Sequence, residues 1–193
     1  MSVDKEKIKC IILYEQVHKG GEKMPKVIEN LREEIIKEAK KQISERGYKN
    51  TTIRSVAAEC SIAVGTVYNY FKSKESLVAS FVLEDWNECV RSIEEQPREN
   101  RRAYLAYIYI SLRKFAESHS ALFKDEDAAK VYSMAFSQWH KLLRDRLADL
   151  ILPICMGEDQ AFLSQYAAEA LLTWTMEGVA FDRIYSMLPQ QIK

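Results

Sequence analysis

From position 27 onward the apolar residues recur every three or four places, the period of an α-helix rather than the alternation of a strand. Val27, Leu31, Ile35, Ala39 and Ile43 step by four and lay one apolar stripe along a first helix, with Glu33, Glu34, Lys37, Lys40 and Lys41 spaced for pairing on its outer face. Gly47 predicts the C-terminal stop, and Tyr48, Lys49 and Asn50 a short loop. Thr51 or Thr52 is placed to N-cap a second helix over Ile53 to Glu59, whose apolar face is Ile53, Val56 and Ala57. Ser61 and Ile62 read as a turn, followed by a third helix over Val64 to Tyr70. Its cap position falls on Ala63, a poor cap that costs ~1 kcal/mol relative to Ser or Thr. Ile62 and Val67 are spaced for a hydrophobic staple across that start.

Lys72-Ser73-Lys74-Glu75 interrupts the pattern, and Ser73 is placed to cap a fourth helix. That helix carries Leu77, Val78, Phe81, Val82, Trp86, Cys89 and Val90 on one side and ends before Pro97. A fifth spans roughly 100–118 with Tyr104, Tyr107, Ile108, Ser111, Leu112 and Phe115 inward, and residues 121–125 read as a break. Another runs over about 127–151 through Val131, Phe136, Trp139, Leu143, Leu147 and Leu150, and a last long pattern over 160–187 is divided at Gly178. No strand pattern, internal repeat or low-complexity segment appears, so the fold class is all-α.

Composition narrows this further. Only 6 Gly and 4 Pro in 193 residues favour long helices over a many-turned β fold. No apolar run approaches the roughly 18 residues of a membrane span, and the patch at 11–14 is too short and too acidic in its flanks for a signal segment, which predicts a cytoplasmic protein without membrane contact. Cys10, Cys60, Cys89 and Cys155 are scattered without a CxxC or a His at ligand spacing, so they are expected as buried thiols, with no disulfide, metal or cofactor. Net charge is zero overall, but 24–75 holds ten Lys and Arg against seven Asp and Glu, and 76–193 holds 13 against 17. A basic first part on an acidic remainder fits phosphate binding at one end. Residues 1–23 have poor periodicity. Gly20-Gly21-Glu22 can be encoded by a purine-rich string resembling a ribosome-binding site just ahead of Met24, so Met24 is expected as the natural start, the alternative being a translated basic arm.

The chemistry concentrates in Thr51 to Phe81. Gly65 lacks a Cβ and lets a backbone approach another molecule closely. Thr66, Tyr68 and Asn69 offer hydroxyl and amide groups suited to phosphates or base edges. Lys74 opens the fourth helix and joins a positive side chain to a positive helix end. Thr52 and Arg54 open the second helix and can grip a phosphate backbone. Val67 and Phe71 are expected in the core, whereas Tyr68, Asn69 and Tyr70 are adjacent and one short helix cannot bury all three.

Met24 to Phe81 resembles the N-terminal domain of the TetR family of bacterial transcriptional repressors. The resemblance rests on Gly47-Tyr48, Thr51-Thr52-Ile53-Arg54, Val56-Ala57, Gly65 through Phe71, and Lys74-Glu75-Ser76-Leu77. It implies that Thr52, Thr66, Tyr68, Tyr70 and Lys74 hold phosphates while Ala63, Val64, Gly65 and Asn69 lie near bases. The chain departs from the pattern at Ser61, where Gly is usual, at Ala63, where Ser or Thr is usual, and at Val64, often basic. These departures leave the fold intact and suggest more apolar base reading, such as Val64 against a thymine methyl.

The expected organisation is an extension over 1–23, a three-helix helix-turn-helix domain over 24–73, and a helical ligand-binding and dimerisation domain over 74–193. The resemblance implies a pocket for a small apolar or amphipathic effector in the second domain, with Trp86, Tyr104, Tyr107, Ser111, Phe136, Trp139, His140 and Trp174 as candidate lining and Thr175 as a further polar contact. For any single aromatic among them plain core is the favoured explanation, and His119 and His140 read as surface or satisfied core histidines rather than metal ligands. Phe162, Tyr166, Ala170, Trp174, Phe181 and Tyr185 exceed what one buried face needs and predict a homodimer interface built as a four-helix bundle. Such a dimer would place two recognition helices on a pseudo-palindromic stretch of double-stranded operator DNA. The alternatives are a small helical enzyme, against which no Ser/His/Asp, HExxH or phosphate-loop pattern appears, and an interaction module that has lost DNA binding.

Overall fold

The computed structural model describes residues 30–193, and over 129–139 it describes the backbone alone. The expectations for residues 1–23, for Cys10, for Met24 as start and for Val27 lie outside the described residues. Among those described, every regular element is helical and no strand occurs. The chain divides into two compact units, one reaching Arg46 and taking in Asn50–Phe81, the other made of Gly47–Lys49 and Val82–Lys193.

In the first unit, α1 (Leu31–Asn50) buries the expected stripe of Leu31, Ile35, Ala39 and Ile43. Gly47 breaks it as its sequence position predicts, with φ of 80° and ψ of 165°. The expected loop beyond it is instead a further turn of helix after a kink, held by the Asn50 side-chain amide on the Arg46 carbonyl at 2.9 Å. Helix α2 (Ile53–Glu59) begins at a reciprocal capping box. The Thr52 hydroxyl oxygen accepts the Ser55 N–H, and the Thr52 N–H reaches the Ser55 hydroxyl oxygen, both at 3.0 Å. Its far end closes with the Ile62 N–H on the Ala57 carbonyl and the Ser61 N–H on the Ala58 carbonyl, a Schellman arrangement. Ser61 therefore sits at φ 56°, a left-handed conformation that costs a residue with a Cβ ~1–2 kcal/mol.

Helix α3 (Val64–Tyr70) starts at Ala63 without a side-chain cap bond and buries Val67 completely. Helix α4 (Lys74–Glu94) is capped by Ser73, whose hydroxyl oxygen accepts the Ser76 N–H at 3.1 Å while its own N–H donates to the Ser76 hydroxyl oxygen at 3.0 Å. The division between units falls after Phe81 rather than at 73. The first two turns of α4 place Leu77, Val78 and Phe81 in the core of the first unit, each almost wholly buried, and burial of such side chains contributes ~1.5–3 kcal/mol apiece.

The second unit continues with α5 (Arg101–Ser118), capped by the Asn100 side chain, then α6 (Ser120–Phe123), a single turn where a break is expected. Helix α7 (Glu126–Ile151) follows with Asp125 as its cap, then one 3-10 turn over Leu152–Ile154, α8 (Gln160–Met176) and α9 (Phe181–Met187). Gly178, at φ 80°, divides the last two as its position predicts. Helix α8 packs chiefly on α7 and α5, where Ala167 and Ala168 are fully buried and let the backbones approach. His119 is a satisfied core histidine. Its Nε2 lies 3.0 Å from an Asp85 carboxylate oxygen, and its ring packs against Phe115 and Phe123. The described cysteines are unpaired: Cys89 and Cys155 are buried, and Cys60 is half-buried. Burial pushes the Cys89 thiol up to about 11.

Candidate nucleic-acid interface

Packing of α2, α3 and the start of α4 shapes a groove of about 480 Å³ in the first unit. Thr52 and Arg54 enter it from the start of α2, Val64 and Tyr68 from α3, and Lys72, Ser73 and Lys74 from the connection into α4. These residues lie up to 22 positions apart, yet they share one surface because the Schellman turn reverses the chain between α2 and α3. Tyr68 is 46% exposed although aromatic, while its neighbour Val67 is fully buried, so α3 presents one face to its own core and the other outward. Asn69 is exposed as well, and the Tyr70 ring is half-buried against Phe71 at 6.5 Å. Arg54, Lys72 and Lys74 face one carboxylate, Glu75, across the groove, leaving an excess of positive charge.

Of the residues expected to meet DNA, Thr52, Arg54, Val64, Tyr68 and Lys74 line the groove. Ala63, Gly65 and Asn69 lie exposed on the same short helix and its cap, and Thr66 is half-buried. A Cβ built on Gly65 would meet nothing within 4 Å, so the protein's own packing leaves that position open. Lys72 was not among the expected contacts. Its signal was a cation directly before a helix cap, which periodicity alone reads as a mere break.

In the second unit Trp86 and Tyr104 are almost wholly buried, and Tyr107, Ser111, His140 and Trp174 are half-buried. The Tyr104 hydroxyl is committed to the fold, donating to the Leu150 carbonyl at 3.1 Å. The Trp86 indole N–H and the Thr175 hydroxyl, by contrast, are buried with no hydrogen-bond partner among the described residues. The side chains of Phe136 and Trp139 lie outside those described. On α8, Phe162 is 64% exposed and Tyr166, one turn on, 38%. Ala170 is buried within its own chain. Phe181 and Tyr185 also pack locally: Phe181 lies 5.6 Å from the Tyr109 ring, and the Arg102 guanidinium sits 4.6 Å over Tyr185 while bonding Asp182.

Two short helices joined by a tight turn, with the outer face of the second offering hydroxyls, an amide and flanking cations, define a helix-turn-helix protein. Residues 35–81 match the family model of bacterial regulatory proteins, tetR family. Over those residues the chain is similar to the TetR family. It is 27% identical over 118 residues to the fatty acid metabolism regulator protein of Bacillus subtilis, covering 61% of this chain and 59% of that protein. It is 41% identical over 54 residues to the HTH-type transcriptional regulator HbdR of an Aromatoleum species, covering 28% of this chain and 24% of that one. The chain thus spans less than two thirds of these curated relatives. Among solved structures, the fatty acid degradation regulator FadR from Bacillus halodurans superposes with a TM-score of 0.56 at 20% identity, over 86% of this chain and 96% of that one, a likeness of fold. No described helix is long and apolar enough to cross a membrane.

Proposed function

We propose that the chain is a transcriptional regulator that binds double-stranded operator DNA as a homodimer in the cytoplasm and is released by a small amphipathic effector. The observation that carries the DNA-binding reading is the groove in which Thr52, Arg54, Tyr68, Lys72 and Lys74 converge beside the exposed face of α3. Neutral hydroxyls and cations at a helix start are the groups that hold phosphates, while Ala63, Val64, Gly65 and Asn69 offer a small, mostly apolar face to base edges. Thr66 and Tyr70, at the two flanks of α3, complete the phosphate contacts in this reading. The orphaned Trp86 indole N–H supports an effector with a hydrogen-bond acceptor such as an acyl carbonyl or carboxylate, because a buried donor without a partner is stabilised by any ligand that supplies one. Two relatives named for fatty acid metabolism and degradation favour the same class. The exposed Phe162 and Tyr166 support dimerisation through α8.

The test is retardation of DNA from upstream of the protein's own gene, followed by titration with acyl compounds. A shifted band that acyl compounds abolish is expected. Replacing Tyr68 or Lys74 by Ala should weaken binding alike across sequences, and Lys74→Ala should also lower the salt slope by about one. A chain that shifts no DNA at low salt refutes the reading.

A further inference from the structure

Gln42 is the polar residue on α1 with no exposed surface at all. Its side-chain N–H donates to the Glu38 carboxylate at 2.9 Å. A carboxylate only accepts, so the amide oxygen is turned the other way, toward α2. There it accepts the Ser55 hydroxyl at 2.6 Å. The Ser55 proton has a second acceptor within reach, the Thr52 carbonyl at 2.9 Å, but the Gln42 contact is shorter. With its proton directed to Gln42, the Ser55 oxygen offers a lone pair to the Thr52 N–H, and the Thr52 hydroxyl oxygen in turn accepts the Ser55 N–H. The cap uses one lone pair of the Thr52 hydroxyl, and its O–H stays available to donate where the exposed residue lines the groove.

We propose that Gln42 is a positioning residue for DNA binding. A chain from Glu38 through Gln42 to the Ser55 hydroxyl, which accepts the Thr52 N–H, fixes the Thr52 backbone at the start of α2 and so the place from which its hydroxyl can donate to a phosphate oxygen. This rests on the reading of the groove as the DNA-binding surface. Gln42 touches no DNA and acts only through the orientation of Thr52. A fully buried amide is otherwise poorly placed in an apolar stripe, and an apolar residue of the same length would fill the space equally well.

The test is a double-mutant cycle on the full chain, read as the affinity for a labelled duplex that the wild-type chain selects from a random-sequence pool. Gln42→Met keeps the volume and removes the amide, and Thr52→Val removes the hydroxyl. Each single variant is expected to bind about tenfold more weakly, the scale of one hydrogen bond to a charged group, and the double variant no more weakly than Thr52→Val alone. A residue that only stabilises the core would shift the thermal midpoint and leave the two effects on affinity multiplicative. Multiplicative losses, or wild-type affinity in Gln42→Met, overturn the proposal while leaving the groove intact. A wild-type chain that selects no duplex overturns the groove reading itself. Should Gln42→Met fail to fold, Ser55→Ala interrupts the same chain at its half-buried link and must show the same non-additivity.

Discussion

Gly65 and Trp86 each carry a cost that the free protein does not need. Gly in a helix is up to about 1 kcal/mol less favourable than Ala, and nothing among the described residues occupies the space a methyl group would take. Gly65→Ala is therefore expected to raise the thermal midpoint by about 2–4 °C while weakening DNA binding about tenfold, because the added methyl stands between α3 and the duplex. An unchanged affinity would remove Gly65 from the interface. Trp86 buries an indole N–H without an acceptor, beside the Phe115 ring at 5.3 Å. Trp86→Phe removes the unsatisfied donor but leaves part of the indole's space unfilled, so it should lower the thermal midpoint, and it should weaken the effector about tenfold in calorimetric titration with whichever acyl compound releases DNA. Equal effector affinity in the variant would place the acceptor elsewhere.

At the scale of elements, side-chain caps set the starts of α2, α4, α5 and α7. Asp125 begins α7 with one carboxylate oxygen accepting the Asp127 and Ala128 N–H groups at 3.0 Å each. Its other oxygen accepts the Tyr48 N–H at 3.1 Å, which gathers Gly47–Lys49 into the second unit. The backbone bond from Ala128 leads in holding this carboxyl below the usual range, joined by those from Asp127, Lys49 and Tyr48. A depressed folded-state value means stability that is present above the ordinary carboxylate range and lost as pH falls through the folded value. Asp125→Ala should thus cost ~1 kcal/mol near neutral pH, and its difference from the wild type should shrink in acid denaturation series as pH falls below the ordinary carboxylate range. A difference that persists there would assign the loss to packing instead. The short helices α2 and α3 and the Gly178 break follow from cap residues and four-residue spacing, which act within one or two turns. Those same rules missed α6, where a single turn over Ser120–Phe123 is held by its neighbours, with Leu122 buried, rather than by a cap or an apolar repeat of its own.

For the whole molecule, α8 carries two exposed aromatic rings. Phe162 and Tyr166 stand one turn apart and leave a ring pair in solvent, an arrangement that a second copy would cover. Phe162→Glu is expected to convert a dimer to a monomer in sedimentation and, by separating two half-site contacts, to reduce DNA affinity by more than tenfold. A dimer that survives this change would move the interface off that face of α8. Ala170, Phe181 and Tyr185 are engaged within the chain. Apolar periodicity reports that a residue is covered but not by which partner. The sequence by itself determined the all-α class, the spans of α2 and α3, the outward face of Tyr68 and Asn69, and the chemistry of Thr52, Arg54 and Lys74, because helix period, capping and side-chain type are local properties. Only the tertiary structure decided that Lys72 joins those residues in one groove, that the first unit extends to Phe81, and that buried Gln42 is wired to Thr52. Each of these depends on groups ten or more residues apart meeting through packing, and Gln42 on α1 carries no local sign of Ser55, its partner on α2.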